Sequence, residues 1–251
     1  MSHAPTLDIR DHIATLCLQR PAAANKITPD DLAVLRQHVE TVNQSEEVLI
    51  LVLRSTGKYF CAGYDISEVG GSQTEGQGFG EMVDAVENCR AVTVAVLQGG
   101  VYGGSTDMVL ACDFRMGSHD TEMFMPAARL GLHYYLSGME RYVSRLGVDM
   151  AKRLFLTAEK LTAQQMHDCG FLTHLVAPDV LEAQSQALCD QLAAMAPLSL
   201  LGMKHHLNRI ARGTVDAQAV RASVLRTLAS DDLKEGALAW KEKRKPRFTG
   251  R

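Results

Sequence analysis

Gly99, Gly100, Gly103 and Gly104 put four glycines into six positions, and Asp107 follows the last of them by three residues. The apolar run Val92 to Leu97 precedes them and reads as a buried strand. Ser105 reads as an N-cap and Asp107 falls in the first turn, so a short helix is predicted over 105–112. A strand, a glycine loop and a buried helix can aim bare backbone N–H groups at an anion. The first N–H groups of a helix have no partner inside it, and that end of the macrodipole is positive. The spacing is neither GxGxxG nor GxxxxGK[ST]. On this stretch alone, a tight strand–helix turn with no chemistry stands beside the anion-binding reading.

A second stretch, Gly57–Lys58–Tyr59–Phe60–Cys61–Ala62–Gly63–Tyr64–Asp65–Ile66–Ser67–Glu68, has the same make-up. It follows the apolar run Val48 to Leu53 and sets a glycine just before a helical turn. Two such units can supply two N–H groups that converge on one oxygen, which is what an oxyanion hole requires.

On these residues the chain resembles the crotonase (enoyl-CoA hydratase/isomerase) superfamily. The matching motifs are Phe60–Ile66, Gly103–Gly104 with Ala111–Cys112–Asp113, Arg20–Pro21 followed by Asn25, and the terminal Glu242–Phe248. They run nearly end to end. The resemblance implies a spiral of ββα units with a helical C-terminal region that builds trimers. It implies an acyl-CoA substrate whose thioester oxygen is held by the N–H groups of Tyr64 and Gly104. Asp107 stands where hydratases of the family carry a catalytic Glu, near the α-carbon of a bound acyl group. The plain alternative is that Asp107 only complements the helix dipole.

Two departures bear on the reaction. The second hydratase acid should follow Pro126, and the residue there is Ala127. A family member with one carboxylate shifts double bonds, because one base removes and returns the proton. In the next loop, His133–Tyr134–Tyr135–Leu136–Ser137–Gly138 replaces a turn of small residues. Tyr135 falls where some family isomerases carry an extra Asp, and His133 brings an imidazole, a side-chain type that serves as general acid or base. One of them replaces the missing acid, or the rings only narrow the pocket. Arg129, Glu140 and Arg141 read as structural ion pairs or helix-end charges.

The resemblance assigns CoA recognition to Ala24, Ala62, Asp65 and Ile66, mainly through backbone groups, with Lys26 reaching phosphate. Lys241, Lys243, Arg244, Lys245 and Arg247 form a basic tail that covers CoA in the family, often on a neighbouring subunit. The expected protein is an isomerase-leaning enzyme working through a thioester enolate. Thioester hydrolysis, decarboxylation and plain acyl-CoA binding fit the same site, as does an acyl group on a carrier protein. CoA enters as part of the substrate, and no permanent cofactor is expected. The expected assembly is a homotrimer or a dimer of trimers.

Composition agrees with this class. The 251 residues are 46% hydrophobic and 22% charged, with a net charge of −3. That balance argues against a nucleic-acid surface, and no apolar run approaches membrane-spanning length. The N-terminal residues lack the pattern of a signal or transit peptide, and a cytoplasmic location is expected. The six cysteines form no CxxC pair and read as free thiols. His205–His206 are adjacent and face different sides of a helix, so no metal site is expected.

The elements that must position these groups read as an α/β fold. Leu7–Leu18 alternates around Asp11–His12 as a hairpin. Thr28–Pro29 opens a helix carrying Leu32, Leu35, Val39 and Val42 at helical spacing. The glycine-rich stretch 70–80 reads as a mobile loop, and 82–89 as a helix. From Ser137 on, helices dominate, and Thr173–Val176 is the one obvious strand. The division expected is a ββα-spiral acyl-CoA-binding core over 1–195 and a C-terminal helical oligomerisation region over 196–251.

Overall fold

The computed structural model describes residues 4–65 and 75–251; the side chains of 75–77 are not part of that description. The hairpin opens the chain as β1 (Thr6–Arg10) and β2 (Ile13–Leu18), antiparallel with Arg10 opposite Ile13. Asp11 makes the turn at φ +50°. Beside β2 lie β3 (Ile50–Ser55), β4 (Val92–Leu97), β6 (Phe114–Ser118) and β9 (His174–Val176), all parallel, in the order β1-β2-β3-β4-β6-β9. A smaller sheet joins β5 (Val101–Tyr102), β7 (Glu122–Phe124) and β8 (Leu161–Thr162). Strand β3 begins two residues later than the apolar run suggests. Its polar end, Arg54 and Ser55, pairs with Cys17 and Leu18 and so belongs to the ladder.

Both faces of the large sheet are covered, which is why β3 and β4 are apolar at successive positions. Leu51, Leu53, Ala95 and Leu97 face a core built with α1 (Pro29–Gln44), α2 (Glu75–Glu87) and α3 (Gly104–Ala111). Ile50, Val52, Val92, Val94 and Val96 face the other side, against Leu181, Cys189 and Leu192 of α7 (Leu181–Ala193). Residues 105–111 of α3 are all buried, so this helix has no solvent face. Four more helices follow the small sheet's first strands: α4 (Leu136–Leu146), α5 (Val148–Thr157) and α6 (Ala163–Asp168), then α8 (Pro197–Ala211) beyond α7. The chain closes with α9 (Ala217–Leu228) and α10 (Asp231–Glu242).

Helix α1 starts where Thr28–Pro29 predicts. Its capping box joins Thr28 and Asp31, and Asp31 also takes both guanidinium nitrogens of Arg20 at 2.7 and 3.1 Å. Two expectations need correction. Ser105 is not the cap of α3: Gly103 is, at φ +55°, and the helix begins at Gly104. The Ser105 hydroxyl instead lies 2.9 Å from the Cys61 carbonyl and accepts from the Tyr102 N–H at 3.0 Å, joining the two glycine loops. The stretch 70–80 is not loop throughout. Residues 75–80 are the first turns of α2, while the expected loop at 70–74 lies outside the described residues. Gly80 serves close packing: a Cβ there would lie 3.1 Å from the Tyr135 ring.

Candidate active site

The two glycine loops come together. Gly63 has φ +99°, and a Cβ on it would lie 2.7 Å from the Tyr102 carbonyl oxygen and 3.2 Å from the Gly104 nitrogen. Only glycine permits that approach. The Ala24–Ile27 segment fixes the first loop from behind. Ala62 N–H donates to Ala24 O at 2.8 Å, Ile27 N–H to Gly63 O at 2.9 Å and Asp65 N–H to Ile27 O at 2.8 Å. Asn25 shapes that segment. It accepts from the Arg20 N–H at 2.8 Å and donates to the carbonyls of Thr56 and Tyr59. Gly104 opens α3, so its N–H precedes the first intrahelical bond.

These loops form one wall of a cavity of about 340 Å³. Phe79, Tyr102, Phe124 and the stretch 125–127 line it further, and Leu130, Leu132, His133, Tyr134 and Tyr135 close it. The lining is mostly apolar and aromatic with a few converging polar groups, the usual make-up of a small-molecule site. Ala127 is part of this wall. Among the described residues the wall carries no carboxylate. His133 stands at the exposed rim with Nδ1 2.8 Å from the Tyr134 carbonyl. Cys61, beside the first loop, is pushed up to about 12 by burial and is no nucleophile at neutral pH.

Asp107 lies one helical turn beyond Gly104, but behind the wall. It is fully buried, and Nη1 of Arg141 sits 2.7 Å from each of its oxygens. The Tyr135 hydroxyl donates to its Oδ2. Burial raises the Asp107 pKa above the ordinary carboxylate value, and the opposing pull of Arg141 and Tyr135 does not cancel this. Tyr135 is raised as well, by burial and then by the Asp107 charge, so its proton stays on. The ring of Tyr135 stacks on Tyr134 at 4.4 Å and meets Phe79 edge-on at 6.3 Å.

Arg141 does more than the structural ion pairing its sequence context suggests, because it holds Asp107. It is fully buried on α4 and also reaches Asp84 at 2.6 Å and Glu87 at 3.2 Å. Arg212 takes Glu87 in turn, and Arg145 stands 3.6 Å from it. Burial works against the charge of Glu87, but Arg141 and Arg212 outweigh it and hold its pKa below the ordinary value. The signal in the sequence is the spacing Gly138, Arg141, Arg145, which puts a small residue and two cations on one helix face. A Cβ on Gly138 would come within 2.9 Å of Asp107 Oδ2.

The expected CoA contacts are spread out. Ala62 lines the cavity, and Ala24 sits behind it at φ +48°. Lys26 is in an ion pair with Asp65, and Ile66 lies outside the described residues. Lys245 lies in a separate cleft with Asp231, Asp232 and Glu235, which shares no residue with the cavity. The tail is tied to α10 by Arg244 on Glu235 and by the Thr249 and Gly250 N–H groups on Asp232. Among the described residues no His, Cys, Asp and Glu cluster is placed to hold a metal ion, and no helix is long and apolar enough to cross a membrane.

A ββα spiral with two converging glycine loops and a carboxylate one turn past the second is the crotonase architecture. The enoyl-CoA hydratase/isomerase family model matches residues 8–251, and the chain belongs to that family. An enoyl-CoA isomerase/hydratase of Mycosarcoma maydis, fer4, is 32% identical, covering 94% of this chain and 92% of its own. A short-chain-enoyl-CoA hydratase of Clostridium acetobutylicum is 28% identical, covering 95% of each chain. The crystal structure of enoyl-CoA hydratase subunit I from Geobacillus kaustophilus superposes with a TM-score of 0.89 at 26% identity, covering the whole of both chains.

Proposed function

We propose that this protein is an acyl-CoA enzyme that works through a thioester enolate and leans to isomerase-type chemistry. The observation that carries the reading is the meeting of Gly63 and Gly104 at the cavity wall, one turn from Asp107. In this reading the thioester oxygen takes the N–H groups of Tyr64 and Gly104. Each such donor stabilises a developing oxyanion by about 3–4 kcal/mol. Asp107 is the carboxylate that becomes protonated when the α-carbon loses its proton. Ala127 supports isomerisation over hydration, since it has no proton to give and cannot orient water. Ala24, Ala62, Asp65 and Ile66 would border the CoA, with Lys26 toward its phosphates and Lys245 reaching them from a neighbouring subunit. His133 is a rim group in this reading.

CoA comes with the substrate, and no resident cofactor takes part. The reading includes a cytoplasmic location and a homotrimer or dimer of trimers built by the region 196–251. Exposed Met203, Leu207, Ile210, Val224, Leu225 and Leu228 on α8 and α9 support the assembly. A second reading, an acyl-CoA-binding protein without turnover, is favoured by the lack of a carboxylate in the cavity wall among the described residues.

The test is mass spectrometry in D2O. Saturated, 2-enoyl, 3-enoyl and malonyl CoA thioesters are incubated with native protein and with Asp107→Ala. The expected result is α-deuterium or a moved double bond, lost in the variant. Water addition as the main product refutes the isomerase lean. Tight binding with no conversion of any thioester favours the second reading.

A further inference from the structure

We infer that Tyr135 is the group that meets the reacting hydrogen, and that it passes a proton to Asp107 across the hydrogen bond joining them. This rests on the enolate reading above and deepens it.

Asp107 is badly placed to act alone. It is fully buried and absent from the cavity lining, and Arg141 holds both of its oxygens at 2.7 Å. Direct attack would require it to leave Arg141 and displace Tyr135. Tyr135, by contrast, lines the cavity. Its hydrogen is committed to Asp107, and its oxygen otherwise accepts only a long bond of 3.4 Å from the Tyr134 hydroxyl, which another hydrogen can displace. The ring cannot swing freely, because Tyr134 stacks on one side, Phe79 meets it edge-on and Gly80 of α2 closes against it.

The step balances without another reagent. The α-carbon–hydrogen bond breaks and the proton bonds to the Tyr135 oxygen. The proton that Tyr135 held moves to Asp107 Oδ2. The electron pair stays on the thioester as enolate, at the backbone donors. Tyr135 ends neutral, and Asp107 ends as a carboxylic acid. Arg141 keeps Asp84 and Glu87 as partners, so its charge is not orphaned when Asp107 is neutralised. The reverse path returns the proton, at the same carbon or further along the chain. Burial of Asp107 favours this direction, since it raises the carboxylate's proton affinity. Arg141 is a positioning residue here.

The experiment measures α-hydrogen exchange of butyryl-CoA and of 3-enoyl-CoA thioesters, with binding affinity measured in parallel. Tyr135→Phe keeps the ring and removes the relay. Exchange should fall by at least about 100-fold while the thioester Kd stays within about threefold. Asp107→Asn should lose as much, and the double variant no more than either alone. Exchange in Tyr135→Phe equal to or faster than native overturns the relay and leaves Asp107 as a direct base. The native protein supplies a second readout that needs no variant. Removal of an unlabelled α-hydrogen should slow in D2O, because the exchangeable Tyr135 proton moves in the same step. A rate equal in H2O and D2O overturns the relay. The pH–rate profile should keep its shape in Arg145→Lys and change in Arg141→Lys, which faces Asp107 together with Asp84, Glu87, Tyr134, Tyr135 and Tyr142. A profile unmoved in Arg141→Lys overturns the positioning role. Native protein that binds both thioesters and exchanges neither sinks the enolate reading itself, and the relay with it.

Discussion

Gly104 and Asp107 stand one turn apart on α3, yet their surroundings are opposite. Around Gly104 the working groups are backbone, the neighbours are glycines and aromatic rings, and among the described residues no carboxylate, lysine or arginine lines the cavity. Around Asp107 the working groups are side chains, and charge is dense: Arg141, Glu87, Asp84, Arg145 and Arg212 are linked in one network. The front depends on where the main chain runs. The back depends on every ion keeping a partner, because a buried charge that loses its counter-ion is costly. A substitution at the front therefore damages chemistry first, and one at the back damages the fold first.

Arg141→Met strikes the back hardest. It leaves buried Asp107 without its cation, while Glu87 keeps Arg212, and a loss of about 3–5 kcal/mol in unfolding free energy is expected. Urea unfolding followed by circular dichroism measures it; a loss below about 1 kcal/mol would break the contrast, since that is the worth of an exposed pair. Gly63→Ala strikes the front. Its φ of +99° and the Tyr102 oxygen 2.7 Å from the new Cβ force the loop apart. Turnover should drop about 100- to 1,000-fold, the cost of a lost oxyanion donor. Thioester exchange beside a melting curve separates this from unfolding. Glu87→Gln gives the smallest effect, seen in pH dependence. Glu87 and Asp31 have depressed pKa values, so their stabilisation is present above the unfolded carboxylate value and is lost as pH falls through the folded one. Asp107 is raised and has the opposite sign: its contribution is lost as pH rises through its folded value. The variant should lose stability at neutral pH and show a shallower acid limb. Denaturation midpoints between about pH 3 and 7 test this.

Much of the front was legible in the sequence. Val92–Leu97 is a strand as its six apolar residues suggest, and Thr28–Pro29 starts a helix through local chemistry alone. The family followed from motifs that depend on backbone geometry, and such motifs survive changes of side chain. The back was less legible. Arg141 is 34 residues from Asp107 and 54 from Glu87, so nothing local ties their charges together. Gly80 in a glycine-rich stretch looks like loop, although its missing side chain makes room for Tyr135. Ser105 has the type of an N-cap, but the carbonyls of Cys61 and Tyr102 compete for its hydroxyl and win.

The chain has a single tryptophan, Trp240, and it stands on α10 with 88% of its surface exposed. The two halves of the molecule are therefore optically separate. Indole emission reports on the C-terminal helices, where a blue shift on raising protein concentration would signal subunit contact. The cavity and the buried ion network are seen only by tyrosines, so a ligand that quenches tyrosine and leaves indole unchanged has bound at the chemistry and left the outer helices undisturbed.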